Sequence, residues 1–372
     1  MSDRLDELER AANRIRVLVC EDSKTDREVL VRLLIHNEGI EVVAVAERGE
    51  DVIPYLERFD PDIVTLDINL PGKSGIEVID EVMAKHPIPI LVISGQAGDP
   101  SVAMEALAAG AVEIIAKPEI DSDDGFEAQA VRLGDLLRTL SKVKVIRHLR
   151  ARLGGFGKYS AIEKARVEAI EPAVASPKKI VGLAASTGGP QALKAVLAEL
   201  GPDFPAPVLV VQHIAKGFTG GFVEWLQTAT SPEVRLAQDG EPLRAGVVYV
   251  GPEDYHMIVR GGTVILKPPD PKDKHCPSAD KLFASMASEV GSGAVCVILT
   301  GMGNDGASGA MQAKAKGALV IVQDELSSVV YGMPRAALES GAATYVVSLG
   351  RMADAIRAAV STDTEQALPE SR

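Results

Sequence analysis

The sequence predicts an α/β protein of two units, each built on a doubly wound parallel sheet, the second with an antiparallel hairpin insertion. Short unbroken runs of Val, Ile, Leu and Ala recur between amphipathic segments, the pattern of parallel strands that are buried on both faces and alternate with helices. That alternation halts in a charged stretch with scattered Gly and Pro at 154–178, then restarts. The length of 372 residues also exceeds one ordinary domain.

In chain order, residues 1–14 are charged, lack the roughly 7–15-residue apolar core of a signal peptide, and read as an N-terminal extension. Five strands are expected at Ile15–Cys20, Val42–Ala46, Ile63–Leu66, Ile90–Ile93 and Val112–Ala116. A Leu-, Arg- and Lys-rich segment from about Phe126 to Leu153, apolar at three- and four-residue spacing, predicts the helix that completes a first unit over 15–153. The stretch 154–178 predicts a linker, helical in part over Ala161–Ile170. The second unit, 179–362, carries apolar runs at Ile180–Ala185, Val208–Val211 and Val295–Leu299. Between Gly246 and Lys267, β-branched pairs around Gly251 and around Gly261–Gly262 predict antiparallel hairpins. Residues 363–372 are polar and read as a flexible tail.

Composition excludes several classes. The formal net charge of −13 argues against nucleic acid or an anionic membrane surface as partner, since both require a basic face. No run approaches the roughly 18 apolar residues of a membrane span. Cys20, Cys276 and Cys296 lie far apart without CxxC spacing, so neither a disulfide framework nor a zinc site is indicated. A cytoplasmic protein without membrane insertion is expected.

In the first unit, Glu21 and Asp22 follow the first strand and Asp67 ends the third, so the three carboxylates gather at one edge of the sheet. Like charges so close call for a cation, and a few carboxylates with water and phosphate oxygens suit Mg²⁺. Ser94 ends the fourth strand and Lys117 the fifth, on the same edge. An acidic pair after a strand is commonly a solvated turn, but five polar residues gathered at the ends of four strands form a constellation. Together with Leu66-Asp67-Ile68-Asn69-Leu70-Pro71-Gly72 it resembles the receiver domain of two-component response regulators, over roughly Ile15 to Lys117. The resemblance implies a flavodoxin-like sheet in which Asp67 accepts a phosphoryl group from a histidine kinase. It further implies that Asp22, Asp67 and the Asn69 carbonyl hold Mg²⁺, with Glu21 acting mainly through water. Lys117 and Ser94 would be the switch residues that contact the phosphoryl oxygens. Ile114 departs from the pattern, since many receivers carry an aromatic residue there.

In the second unit, each of three apolar runs delivers one member of a possible catalytic triad: Ser186, His213 and Asp305. Gly182 to Pro190 reads as a strand turning sharply into a helix, which would set Ser186 against free backbone N–H groups and the positive end of the helix dipole. The plainer readings are Ser186 or Thr187 as a helix N-cap, His213 as a capping or core residue, and Asp305 as an ordinary first-turn acid with Asn304 as cap. A phosphate site is the other rival, but the segment has neither a GK[ST] ending nor GxGxxG spacing. His256 lies in an alternating stretch and reads as packed or surface-exposed, and His275 sits in a Pro/Lys-rich loop.

Ala185 to Gly189, Gln212-His213, Pro277 to Phe283, Leu299 to Ala307, Gln323 to Glu325 and Tyr331 to Pro334 resemble the catalytic domain of chemotaxis protein-glutamate methylesterases. Receiver, linker and esterase is also that family's layout. The departures are a longer N-terminal segment, an extended linker, and Ala279 where valine is common.

The resemblance implies hydrolysis of glutamate γ-methyl esters on the cytoplasmic helices of chemoreceptors, and deamidation of receptor glutamines. Ser186 would be the nucleophile, His213 the general base and Asp305 its orienting carboxylate, with backbone N–H groups of Met302 and Thr187 holding the oxyanion. Ester hydrolysis would need no cofactor, and Mg²⁺ would serve only the receiver. The unphosphorylated receiver would block receptor access, and phosphorylation of Asp67 would loosen that contact. The competing readings are a phosphorylation-gated adaptor without hydrolase activity, and an esterase serving a receptor pathway other than chemotaxis.

Overall fold

The computed structural model describes residues 14–95, 100–118, 125–143, 145 and 180–361. Nearly all of the expected N-terminal extension, the end of the first unit's last helix at 146–153, the linker with its helical Ala161–Ile170, and the tail lie outside the described residues. The chain divides into two compact units between Gly154 and Gly155.

The first unit runs β1 (Ile15–Cys20), α1 (Lys24–Ile35), β2 (Ile40–Ala46), α2 (Val52–Phe59), β3 (Ile63–Leu66), α3 (Gly75–Lys85), β4 (Ile90–Ser94), α4 (Pro100–Ala109), β5 (Glu113–Ala116) and α5 (Gly125–Leu140). Its five strands are all parallel in the order β2-β1-β3-β4-β5, the flavodoxin-like arrangement with its switch point between β1 and β3. All of β3 and β4 is buried, as strands covered on both faces must be. Ser74 and Glu77 close a capping box at the start of α3. The buried Asn37 amide donates to Leu33 O and Ala130 O, which ties the end of α1 to α5.

Among the described residues the last helix ends at Leu140, and Ser141 to Val143 do not continue it. Its buried stripe of Ala130, Leu133, Leu137 and Leu140 ends there. Lys142-Val143-Lys144-Val145 then alternates with period two, which offers no helical face, and the Val143 N–H turns back to Leu140 O at 2.9 Å.

The second unit runs β6 (Ile180–Ala185), α6 (Gly189–Leu200), β7 (Val208–Gln212), α7 (Thr219–Ala229), β8 (Glu233–Leu236), β9 (Val247–Val250), β10 (His256–Arg260), β11 (Thr263–Lys267), α8 (Ala279–Val290), β12 (Ala294–Ile298), α9 (Ala307–Ala315), β13 (Leu319–Gln323), α10 (Met333–Glu339), β14 (Tyr345–Val347) and α11 (Leu349–Val360). Seven strands form a parallel sheet in the order β14-β13-β12-β6-β7-β9-β8. The chain leaves β6 in one direction and returns at β12 on its other side, so the switch point lies between them. Of the two expected hairpins only β10–β11, turning at Gly261–Gly262, forms. Val247–Val250 instead pairs in parallel between β7 and β8. All four of its residues are buried, and only a sheet position covered on both faces satisfies so apolar a strand.

Candidate active site

In the first unit the strand register brings the predicted residues to one edge. Cys20 pairs with Leu66, and the Asp67 N–H donates to Cys20 O, so Glu21, Asp22 and Asp67 adjoin. Their carboxylate oxygens lie within 4.8 Å of one another. Ser94 pairs with Ala116, and the Lys117 N–H donates to Ser94 O at 2.8 Å. Lys117 Nζ reaches Asp67 at 2.7 Å, Glu21 at 2.9 Å and Asp26 at 2.8 Å. Burial alone would lower the Lys117 pKa, but those carboxylates overcome it and hold the amine well above its ordinary value. Burial likewise raises the Glu21 pKa.

The Asn69 N–H donates to Asp67 Oδ1 at 3.0 Å. Asp26, in the first turn of α1, is a fourth acid that the motif reading missed. One ammonium against four carboxylates leaves surplus negative charge, and that donor set fits a divalent hard cation. Ile114 is buried in β5, so no aromatic ring turns at that position.

In the second unit the three triad candidates leave three adjacent strands, β12, β6 and β7, at the switch point. Ser186 O accepts the Gly189 N–H at 2.7 Å across a turn in which Gly188 has φ +74° and ψ −2°. These are the angles of the third residue in a type II turn, where a Cβ is strained. Gly188 is thus the N-cap of α6, and the reading of Ser186 or Thr187 as that cap fails. Pro190 follows in the first turn of the helix. Ser186 is held through its backbone: its N–H donates to Thr300 O, and its carbonyl also accepts the Gln212 amide at 2.9 Å. A Cβ on Gly301 would come within 2.8 Å of Ser186 Cβ, which shows how closely the loop after β12 approaches.

Ala185 pairs with Gln212, and the His213 N–H donates to Ala185 O at 2.9 Å, so His213 sits beside Ser186. Its Nε2 lies 2.9 Å from Asp305 Oδ2. An ionised carboxylate only accepts hydrogen bonds, so Nε2 carries the proton and Nδ1 is left as the basic nitrogen.

Asp305 is buried at the N-terminus of α8, where Ser278 is the N-cap. It accepts from Ser278 Oγ (3.0 Å), the Ala279 N–H (2.7 Å) and the Asp280 N–H (3.0 Å). Asp280 returns the arrangement, accepting the Gly306 and Gly309 N–H groups at the start of α9. Two carboxylates are thus exchanged between two helix N-termini, each satisfying donors that a helix leaves free. The N-cap of α9 is Gly306, so Asn304 is not the cap. Burial works to raise the Asp305 pKa, but His213 and the backbone donors outweigh it and hold it at about 2, against 3.8 ordinarily.

A carboxyl group held down in this way stabilises the fold above its unfolded value near 3.8 and loses that contribution as pH falls through about 2. The shift is worth on the order of 2 kcal/mol. The urea midpoint of the wild-type chain should therefore fall more steeply between pH 4 and pH 2 than that of Asp305→Asn. Parallel slopes would refute the assignment.

The Met302 and Thr187 N–H groups donate to no protein acceptor among the described residues. Thr300 binds the surrounding loops together: its Oγ1 donates to Thr187 O, accepts the Val330 N–H, and its own N–H donates to the buried Gln323 side chain. Sequence reasoning quoted Ser278, Asp280, Gln212 and Gln323 within motifs without giving them work. It placed His275 in a Pro/Lys-rich loop without a role, yet the ring stacks on that of His213 with centroids 4.9 Å apart. His256 is packed, as expected, and bonds Asp273 at 2.8 Å. No described helix is long and apolar enough to cross a membrane.

The family model for CheB methylesterase matches residues 181–356, and that for the response regulator receiver domain matches residues 17–128. A protein-glutamate methylesterase/protein-glutamine glutaminase 2 from Paramagnetospirillum magneticum is 42% identical over 347 residues, which is 92% of this chain and 97% of that protein. Its namesake from Anaeromyxobacter dehalogenans is 41% identical over 343 residues, 92% of this chain and 96% of that protein. The crystal structure of the Thermotoga maritima CheB methylesterase catalytic domain matches at TM-score 0.47 and 36% identity, over 49% of this chain and 98% of that one. The motifs, the two sheets and the two near full-length relatives agree: the chain belongs to the CheB methylesterase family and carries a response regulator receiver domain ahead of its methylesterase domain.

Proposed function

We propose that this protein is a phosphorylation-controlled protein-glutamate methylesterase, which hydrolyses glutamate γ-methyl esters on chemoreceptor cytoplasmic helices to glutamate and methanol. By the same chemistry it would convert receptor glutamines to glutamate with release of ammonia. The observation that carries the reading is the 2.9 Å bond from His213 Nε2 to buried Asp305, in the loop beside the Ser186 turn.

Ser186 Oγ attacks the ester carbonyl while His213 Nδ1 takes its proton, and Asp305 stabilises the imidazolium that results. The oxyanion is held by the Met302 N–H, with Thr187 as the second donor, each worth roughly 3–4 kcal/mol in the transition state. His213 returns the proton to the departing methanol. Water activated by the same nitrogen then releases the glutamate. None of these steps calls for a cofactor. An adaptor without hydrolase activity would have no use for so elaborate a setting of Asp305.

In the receiver, a histidine kinase supplies the phosphoryl group to Asp67. Asp22, Asp67 and the Asn69 carbonyl would hold Mg²⁺, with Glu21 through water; when bound, that ion neutralises charge on the transferred phosphoryl group. Lys117 and Ser94 then contact the phosphoryl oxygens, and Lys117 must leave some of its present carboxylate partners to do so.

The test is methanol release from a methylated receptor cytoplasmic fragment, with and without acetyl phosphate and Mg²⁺. Release that rises on adding the phosphodonor is expected, and Asp67→Asn should keep the basal rate while losing the rise. No release under either condition would refute the esterase, and a rise retained in Asp67→Asn would refute its control by that residue.

A further inference from the structure

His275 lies in the loop between β11 and α8, and its ring stacks on that of His213 with centroids 4.9 Å apart and planes 12° apart. The loop is pinned on both sides of this contact. Two residues earlier, Asp273 accepts from Nε2 of buried His256 on β10 at 2.8 Å, from the Asp270 N–H at 2.7 Å, and from Lys281 on α8. Three residues later, Ser278 caps α8 and donates to Asp305. The ring is therefore presented by a braced loop.

The bond to Asp305 fixes only one edge of the His213 ring, which could still tilt about that bond. A second ring against its face removes that freedom. Partial burial and the neighbouring His213 charge lower the His275 pKa, with Lys274 adding to them and Asp305 and Asp280 opposing. An uncharged imidazole face also suits the imidazolium that His213 becomes during turnover.

We propose that His275 is a positioning residue of the esterase, its ring clamping the face of His213 so that the imidazole keeps one orientation while it serves Ser186 as base. This rests on the hydrolytic reading above.

The experiment compares His275→Ala and His275→Phe in the full-length chain by methanol release and by NMR of the His213 ring proton that bonds Asp305. His275→Ala is expected to lower kcat about tenfold at a nearly unchanged KM, since the stack steadies only the base, and to broaden the ring proton by exchange. His275→Phe restores a flat ring and should return both readouts to near the wild-type values. A wild-type kcat in His275→Ala, or an equal loss in both variants, would overturn the clamp. Were the wild-type chain to release no methanol, the hydrolytic reading would fail and the ring proton alone would decide. A signal lost in the alanine variant and kept in the phenylalanine variant upholds the clamp, and one unchanged in both overturns it.

Discussion

Ser186→Ala is expected to lower kcat for methanol release by about 10⁵- to 10⁶-fold, the loss that follows when a serine nucleophile acting together with its base is removed. The size of the effect follows from how narrowly the hydroxyl is used. Among the described residues every hydrogen bond that fixes Ser186 is made by its backbone: its N–H to Thr300, and its carbonyl to Gly189 and Gln212. Alanine keeps all of these and fits the same turn, so thermal stability should change by less than about 0.5 kcal/mol. Binding of the methylated fragment should be unchanged as well, because ester recognition does not pass through the missing oxygen. Substantial residual turnover would mean that water attacks the ester directly and that Ser186 only shapes the turn. Measurement of kcat alongside a melting curve separates these outcomes.

Asp305→Asn is the second large effect, and here catalysis and stability should both suffer. The amide offers one acceptor oxygen where the carboxylate offers two, yet four donors converge on it: Ser278 Oγ, the Ala279 and Asp280 N–H groups, and His213 Nε2. At least one buried donor must face an NH₂ group, at a cost of roughly 1–3 kcal/mol. If the amide turns its NH₂ toward His213, the imidazole must place its proton on Nδ1 and can no longer serve as base. A drop of about 10⁴ in kcat is expected from that change of tautomer. A variant that lost stability but kept kcat would show Asp305 to be a helix-capping group alone.

Much of this was legible in one sequence. Buried parallel strands announce themselves because both faces are covered, so β4, β6 and β12 read as apolar runs. Residues at their carboxyl ends could be assigned to one crevice, since the crossover rule leaves them nowhere else to go. That is why Glu21, Asp22, Asp67, Ser94 and Lys117 could be grouped, and Ser186, His213 and Asp305 likewise.

What escaped was what depends on partners distant in sequence. Val247–Val250 looked like half of a hairpin because it is short and followed by a glycine; its place between β7 and β8 is set by which strands lie beside it. The last helix of the first unit was read as running unbroken past Leu140, since apolar spacing alone does not say where the surface it packs against ends. Asp26 had no strand-end position to mark it, yet the fold brings it to Lys117. His275 looked like a loop histidine until the Asp273 anchor and the α8 cap set its ring on His213. The sequence by itself determined the two sheets, the nucleophile turn and the acidic cluster, because strand burial, turn geometry and charge are local properties. Tertiary structure alone decided which nitrogen of His213 is basic, what neutralises Asp305 and what steadies the base, because hydrogen bonds and ring contacts depend on distances that sequence spacing does not encode.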